Sequence, residues 1–344
     1  MIELLEKKNI ESTLYSSLDN NRVRCLACHR KCLIDEGKRG FCQVRINRNG
    51  SLLVPYGYFS SFNIDPVEKK PVYHFLPGSK TFSFGMYGCN FRCSYCQNFE
   101  ISQSSQGYYY EVNLNDLVLS ATKENIEIFV STYNEPTVTI EWGLDIFKKV
   151  KKEIKKARTG FVSNGYLSNE SLEFIKGNID FIRVDFKSFN KEKYRSLTGG
   201  AELDKLLYSI ELIYKMNIHL ELVTLIVEDF NDSDYELKKM AEFIKSISPS
   251  IPWHLTRFHP DYKMIDNKRT DVKKIENLIE LARNCGVLYV YGGNYLTSNS
   301  NTFCPSCKKL LIERDYMSLK TTNLVVKNNK GYCPYCGFEI YGVF

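Results

Sequence analysis

An α/β fold is predicted: a parallel (β/α) barrel, complete or partial, with a small cysteine-rich module at each end. Three observations predict it. Strand-like runs alternate with helical periodicity from residue 81 to residue 294, and regular β-then-α alternation implies parallel strands joined by right-handed crossovers. The 12 cysteines fall into sets of four, three and four with one left over, in a chain of 344 residues. Such a length holds a barrel of roughly 200–250 residues and two small modules besides. The expected division is therefore an N-terminal metal-binding module over 1–78, the barrel over 79–299 and a metal ribbon over 300–344.

The N-terminal module is read from Cys25-x2-Cys28-x3-Cys32-x9-Cys42, with His29 as a possible substitute ligand. Four thiols at this density in a chain without an export signal indicate a metal rather than disulfides. Zinc and an iron–sulfur cluster are both open. Strands are expected at 81–85, 126–132, 159–163, 181–187, 219–227, 253–258 and 287–291. Between them, Ile140, Leu144, Phe147, Val150 and Ile154 share a helical face after Pro136, a residue suited to a first helical turn. Leu203, Leu206, Leu207, Ile210, Ile213 and Tyr214 make a second stripe. Asp232 or Ser233 should cap a helix carrying Leu237, Met240 and Ile244, and Asp271 one carrying Ile275, Leu278 and Ala282. Cys285, just beyond that last stripe, is expected to be an inert buried thiol. Cys304-Pro-Ser-Cys307 and Cys333-Pro-Tyr-Cys336 form two CPxC knuckles around a stretch long enough for a hairpin. Two knuckles supply four thiolates in tetrahedral array, the pattern of a zinc ribbon or a rubredoxin-like iron site, and zinc is preferred.

The run Gly88-Cys89-Asn90-Phe91-Arg92-Cys93-Ser94-Tyr95-Cys96 places three thiols on one short loop. A cubane iron–sulfur cluster takes four cysteines, so Cys89, Cys93 and Cys96 would leave one iron open to a non-protein ligand. A partial zinc site completed by a distant histidine is the alternative. Polar residues gather at the predicted strand ends. Arg183, Asp185 and Lys187 alternate with Ile182, Val184 and Phe186; in a sheet covered on both faces, inward charges need a ligand or one another. Glu135 follows the 126–132 strand and by itself reads as an acid favouring a helix start. Ser163 and Asn164 end the next strand, and His254 lies on the 253–258 strand, where a satisfied core histidine is the common case. His74, His259 and Tyr262 are candidates for the mouth of the barrel.

Composition narrows the classes. The formal charge of +6 and a charged fraction of 25% do not describe a disordered tail. The first twenty residues lack the apolar core of a signal peptide, and no apolar run reaches the length of a membrane span. A cytoplasmic protein is expected. The lysines at 148, 149, 151, 152, 155 and 156 fall largely opposite the apolar stripe of their own helix, which reads as a solvated face rather than a nucleic-acid footprint.

Several ordered motifs resemble one family. Cys25-Leu26-Ala27-Cys28 through Gly40-Phe41-Cys42, the run from Asp65-Pro66-Val67-Glu68 to Tyr73-His74-Phe75, the loop from Gly88 to Asn98, Thr132-Tyr133-Asn134-Glu135-Pro136 and the closing CPxC pair are similar to the AmmeMemoRadiSam system radical SAM enzymes. These are relatives of the pyruvate formate-lyase activating enzymes. The resemblance covers nearly the whole chain. It implies a partial, TIM-like (β/α) barrel as radical SAM core, and a 4Fe–4S cluster on Cys89, Cys93 and Cys96 that binds S-adenosylmethionine (SAM). One-electron cleavage of SAM would yield a 5′-deoxyadenosyl radical that takes hydrogen from a protein or small molecule. The resemblance further implies Tyr95 against the adenine, Asn134 and Glu135 at the SAM amino group, Lys187 and Asp185 by its carboxylate, and Ser163, Asn164 and His254 near the ribose. A ferredoxin or flavodoxin would supply electrons. AMMECR1-like and Memo-like proteins, or a glycyl-radical-type protein, would be partners. An RNA-modifying enzyme and a non-catalytic electron carrier or scaffold are the rival readings.

Overall fold

The computed structural model describes residues 8–344; residues 1–7, where the polar N-terminal stretch begins, lie outside that range. The chain forms two compact units. Among the described residues, the first gathers 8–65, Lys80–Asp180 and Leu197–Ile210; the second gathers Pro66–Ser79, Phe181–Ser196 and Glu211–Phe344. The central, mostly parallel sheet has eight strands.

In the first unit these strands are β1 (Ser61–Pro66), β2 (Lys80–Gly85), β3 (Ile128–Ser131) and β4 (Arg158–Ser163), in the spatial order β4-β3-β2-β1. Ile128 pairs with Thr81 on one side and Arg158 on the other, both in parallel register. β3 is buried at every position, as a strand covered on both faces must be. α1 (Leu114–Lys123) precedes β3 and α2 (Ile140–Glu153) follows it. Ile140, Leu144, Phe147 and Val150 are buried along α2 as their spacing predicts, while Ile154 caps the helix and is half-buried. Pro136 opens a short 3-10 turn, Pro136–Thr139, that leads into α2. Three of the six lysines form carboxylate pairs, Lys149–Glu153, Lys151–Asp180 and Lys156–Glu127, so this solvent face is partly neutralised.

Ahead of the barrel strands, small antiparallel sheets carry the first four cysteines. Val23–Cys25 pairs with Tyr15–Ser17 and with Leu33–Ile34, and Ser51–Pro55 pairs with Asn9–Glu11 and Ile46–Arg48. A buried ion pair stands between this module and α2. The Arg45 guanidinium meets Glu141 Oε2 at 2.5 Å and Oε1 at 3.0 Å, and also donates to the Val138 carbonyl and Ser12 Oγ.

In the second unit, β5 (Phe181–Asp185), β6 (His219–Ile226), β7 (Trp253–Arg257) and β8 (Val290–Gly293) run in the order β8-β7-β6-β5, all parallel. α3 (Asp234–Ile247) is capped by Ser233 and α4 (Val272–Asn284) by Asp271, each side-chain oxygen accepting from a first-turn N–H. Two expectations shift. β8 starts three residues later than expected because Gly286, at φ +98°, ends α4 and residues 287–289 carry the chain to the sheet. Cys285 is the C-cap of α4, off the buried stripe, and is therefore half-buried. β1 escaped notice because Phe62, Asn63 and Ile64 are all exposed, so no apolar alternation marks it.

The C-terminal ribbon is two antiparallel three-stranded sheets, Thr302–Phe303 with Leu310–Asp315 and Ser318–Thr322, then Val325–Lys327 with Lys330–Tyr332 and Glu339–Ile340. Asn328 and Asn329 both take positive φ (52° and 61°) in the tip between Lys327 and Lys330, the conformation a two-residue hairpin turn requires. The ribbon core of Leu311, Ile312 and Ile340 packs with Tyr73, Tyr289 and Tyr291.

The Arg45–Glu141 pair generates a stability prediction. Glu141→Gln leaves a buried guanidinium without its counter-charge and should lower unfolding free energy by about 3 kcal/mol in urea titration. Glu153→Gln, at the exposed Lys149 pair, should change it by less than about 1 kcal/mol.

Candidate active site

β2 ends in a loop with no ladder of its own. Gly88 opens it at φ +89°, where a Cβ would come within 2.7 Å of the Cys42 carbonyl oxygen; only glycine fits this approach. Side chains hold the loop backbone. Asn134 Oδ1 accepts from the Met86 N–H at 3.0 Å and Asn134 Nδ2 donates to the Gly88 carbonyl at 3.0 Å. Arg92 Nη1 donates to the carbonyls of Cys89 and Phe91, both at 2.8 Å. The Phe91 N–H points at Cys89 Sγ (3.3 Å), and Cys96 Sγ lies 3.0 Å from Ser102 Oγ.

The three sulfurs act on one another. The Cys89 thiol is held well above its ordinary pKa by burial first, then by the negative charge of Glu135 and of the Cys93 and Cys96 sulfurs. Three cysteine thiols on one short loop, with burial and neighbouring negative charge opposing ionisation at Cys89, are a donor set suited to a multivalent cation or cluster. On that ground the residues fit a cubane with one iron left free of protein sulfur.

Glu135, Ser163 and Asn164 form one network at the ends of β3 and β4. Glu135 Oε1 accepts from Thr137 N–H (3.1 Å), Thr137 Oγ1 (2.5 Å) and Ser163 Oγ (2.8 Å), and Oε2 accepts from the Asn164 N–H at 2.8 Å. Glu135 thus caps the turn that starts at Pro136 and ties two strand ends together. Burial raises its pKa above the ordinary carboxylate value, against the lowering effect of those donors. Asn164 Nδ2 donates to Asn90 Oδ1 at 2.6 Å. Tyr95, next to the last cysteine of the loop, is buried.

The second unit holds the remaining predicted residues. Lys187 Nζ is 2.9 Å from Asp185 Oδ2, and Arg183 pairs with Asp185 Oδ1 while its Nε donates to the Lys70 carbonyl at 3.1 Å. Ile182 and Val184 are fully buried and Arg183 and Asp185 half-buried, the alternation the sequence predicts. Asn231 Nδ2 donates to the Lys187 carbonyl at 2.8 Å and so fixes the strand end. His254 Nε2 is engaged by Glu221 Oε2 at 2.7 Å, inside a cage where Glu221 also meets His219 Nε2 at 3.1 Å and the N–H groups of Tyr73 (2.9 Å) and His74 (2.8 Å).

Glu221 is the residue the sequence reading passed over. It faces Arg183 in register, and the parity argument that singled out Arg183 applies equally to an acid inside His219–Ile226. Its carboxyl lies well below the ordinary range: burial pushes it up, and the histidine hydrogen bonds more than offset that. His74 is buried between Tyr291 Oη (2.6 Å) and the Tyr341 carbonyl (2.5 Å), a core position and not the mouth of a barrel. His259 Nδ1 lies 3.3 Å from its neighbour's carbonyl, and Tyr262 begins a 3-10 turn.

Two further cysteine sets stand apart from this loop in the sequence, one in each unit. Cys304, Cys307, Cys333 and Cys336 have all four sulfurs within 4.8 Å of one another, with Cys304–Cys336 at 3.6 Å and Cys307–Cys333 at 3.5 Å. Tetrahedral coordination at a zinc–sulfur distance of about 2.3 Å separates sulfurs by about 3.8 Å, so the ribbon fits a single ion. The Phe338 N–H holds the Cys336 thiol down to about 7. Cys25, Cys28, Cys32 and Cys42 line one small cavity in the first unit, and His29 is turned to Ser209 Oγ at 3.0 Å.

The buried cage predicts a pH dependence. Burial lowers the His74 pKa to about 3, so between about 6.5, the unfolded value, and 3 the unfolded chain takes up a proton that the folded chain refuses. His74 alone should make stability fall with acidification through this window by up to about 1.4 kcal/mol per pH unit; burial also lowers the pKa of His254, and that of His29 to about 4, and both add to the fall. Glu221, whose folded pKa is depressed, adds a loss in the same direction at lower pH. Thermal unfolding followed from pH 7 to pH 4 should show this slope, and His74→Phe should make it shallower.

Comparison with known proteins gives a consistent result. The sequence profile of the radical SAM superfamily matches residues 84–244. An uncharacterized protein of Methanocaldococcus jannaschii is 38% identical over 335 residues, 96% of this chain and 98% of that one. The pyruvate formate-lyase-activating enzyme of Clostridium pasteurianum is 25% identical over 221 residues, 59% of this chain and 89% of that one. Among solved structures, Streptococcus suis SuiB bound to S-adenosylmethionine aligns with a TM-score of 0.49 at 12% identity, covering 66% of this chain and 53% of that one. Among the described residues no helix is long and apolar enough to cross a membrane.

Proposed function

The chain belongs to the radical SAM superfamily, and we propose that it cleaves SAM reductively at a 4Fe–4S cluster held by Cys89, Cys93 and Cys96. One observation carries this reading: Cys89, Cys93 and Cys96 share one short loop whose backbone is held by Gly88, Arg92 and Asn134. When bound, the cluster and SAM together supply a primary carbon radical able to remove hydrogen from an unactivated carbon, the cofactor's own chemistry.

The chain's part is binding, orientation and exclusion. Arg92 and Asn134 hold the loop open by its backbone. Glu135, which would meet the SAM amino group by family likeness, spends both oxygens on Thr137, Ser163 and Asn164, and this supports a positioning role. Tyr95 would pack against the adenine. Lys187, its ammonium held by Asp185 and its backbone carbonyl by Asn231, would offer that ammonium to a carboxylate. Ser163, Asn164 and His254 would border the ribose; the hydrogen bonds of Ser163 and His254 fix their own orientation toward Glu135 and Glu221.

The substrate class we favour is a polypeptide of glycyl-radical type, in line with the activating-enzyme relative. Hydrogen would leave a substrate carbon, giving 5′-deoxyadenosine and a substrate radical, with one electron from a ferredoxin- or flavodoxin-class donor. AMMECR1-like and Memo-like proteins are the partners to try beside it. The ribbon would hold zinc, and the thiol-rich chain suits a reducing cytoplasm. The lysine face, partly neutralised by Glu153, Asp180 and Glu127, gives an RNA substrate little support.

Anaerobic reconstitution, reduction with dithionite and addition of SAM should yield 5′-deoxyadenosine and methionine. Cys93→Ala should reduce that yield at least about a hundredfold, below the effect of any single positioning group. A reduced, iron-loaded protein that never forms 5′-deoxyadenosine would be a scaffold or electron carrier.

A further inference from the structure

Cys25, Cys28 and Cys42 are buried and Cys32 half-buried around the small N-terminal cavity. The chain passes through it at Gly40, where a Cβ would stand 3.8 Å from the sulfurs of both Cys32 and Cys42. Thiols enclosed this way call for a metal. The question is which class.

Sulfur spacing separates the classes. A single tetrahedral ion draws four sulfurs to about 3.8 Å of one another, as the C-terminal quartet shows. Among the described residues the C-terminal quartet has all its ligand atoms within 4.8 Å of one another; the N-terminal sulfurs instead line a cavity that Gly40 also borders. A cubane spreads its thiolates, one to each iron.

The surroundings also suit a polynuclear anion. Asn90 is 1% exposed, lines the cavity, and its Nδ2 is buried without a hydrogen-bond partner while interacting with Cys28. An amide N–H at a thiolate is one of the contacts that tune iron–sulfur centres. Arg30, beside Cys28 and Cys32, donates to the carbonyls of Asn90 (2.5 Å), Thr198 (2.9 Å) and Gly199 (3.0 Å). None of these acceptors is an acid, so its positive charge stays available to the cavity. Arg45 also lines it, balanced by Glu141.

We propose that Cys25, Cys28, Cys32 and Cys42 hold a second 4Fe–4S cluster, closed by four thiolates and coupled through Asn90 to the loop that carries Cys89. With no iron left open it cannot bind SAM, and its chemistry is one-electron exchange. The electron enters from the ferredoxin- or flavodoxin-class donor and leaves to the SAM-binding centre, with no bond made or broken at the second cluster. The assignment of the metal stands independently of SAM cleavage; the electron's destination rests on it.

The full chain, reconstituted anaerobically with iron and sulfide, tests this directly. Wild type should carry about eight iron and eight sulfide, two cubanes' worth. The variant Cys89→Ala/Cys93→Ala/Cys96→Ala leaves every N-terminal ligand in place and should retain about four of each. Its reduced cluster should give an electron paramagnetic resonance signal that SAM does not alter. Cys28→Ala/Cys32→Ala should also drop to about four iron and keep a signal that SAM does shift. The assignment is overturned if the first variant binds no sulfide, whether it holds no metal or holds a zinc ion beyond the ribbon's. That variant decides the matter even if the second does not fold, and loss of the SAM-sensitive signal alone would sink the proposed function while leaving the second cluster standing.

Discussion

Side-chain donors bonded to loop carbonyls are the interaction on which the first unit depends. Between Gly88 and Cys96 the backbone belongs to no helix or strand, and an irregular buried loop must find partners for its polar groups. Arg92 and Asn134 supply them inside the loop's own neighbourhood, and Arg30 reaches the same run from the N-terminal module. Each bond is modest on its own. Together they fix the backbone that presents the cysteine sulfurs.

The two units solve the problem of buried charge differently. In the first, Arg45 and Glu141 form a bidentate pair that neutralises itself. In the second, Glu221 stays ionised through four donors, two of them backbone N–H groups and two imidazoles. A carboxylate so enclosed belongs to the strand framework, and it sets the orientation of His254 as firmly as any ligand could. The ribbon core joins the same framework through Tyr73 and Tyr291, the tyrosines that border His254 and His74.

Legibility in the sequence followed burial. Strands covered on both faces, such as Ile128–Ser131 and His219–Ile226, announce themselves by apolar runs, and helix starts at Ser233 and Asp271 by their capping oxygens. The cysteine sets were visible from spacing alone. What stayed hidden has a common cause: its meaning lies in a partner distant along the chain. Ser61–Pro66 is a strand because it borders β2, with no pattern of its own. Asn90 looks like a spacer between cysteines, yet its amide meets Asn164 on one side and Cys28 on the other. Glu221 looks like a lone acid until two histidines and two backbone amides surround it. Asn231 reads as a turn residue, although it holds the carbonyl of Lys187.

Phe41 has a consequence of a different kind. Its ring lies under the Arg30 guanidinium at 3.5 Å and the Arg92 guanidinium at 4.3 Å, so two like charges are tolerated because both rest on one π-face system. Arg30 and Arg92 serve different cysteine loops. Lifting the ring would release both at once, and the two loops should therefore breathe together as a single cooperative patch rather than fray one after the other.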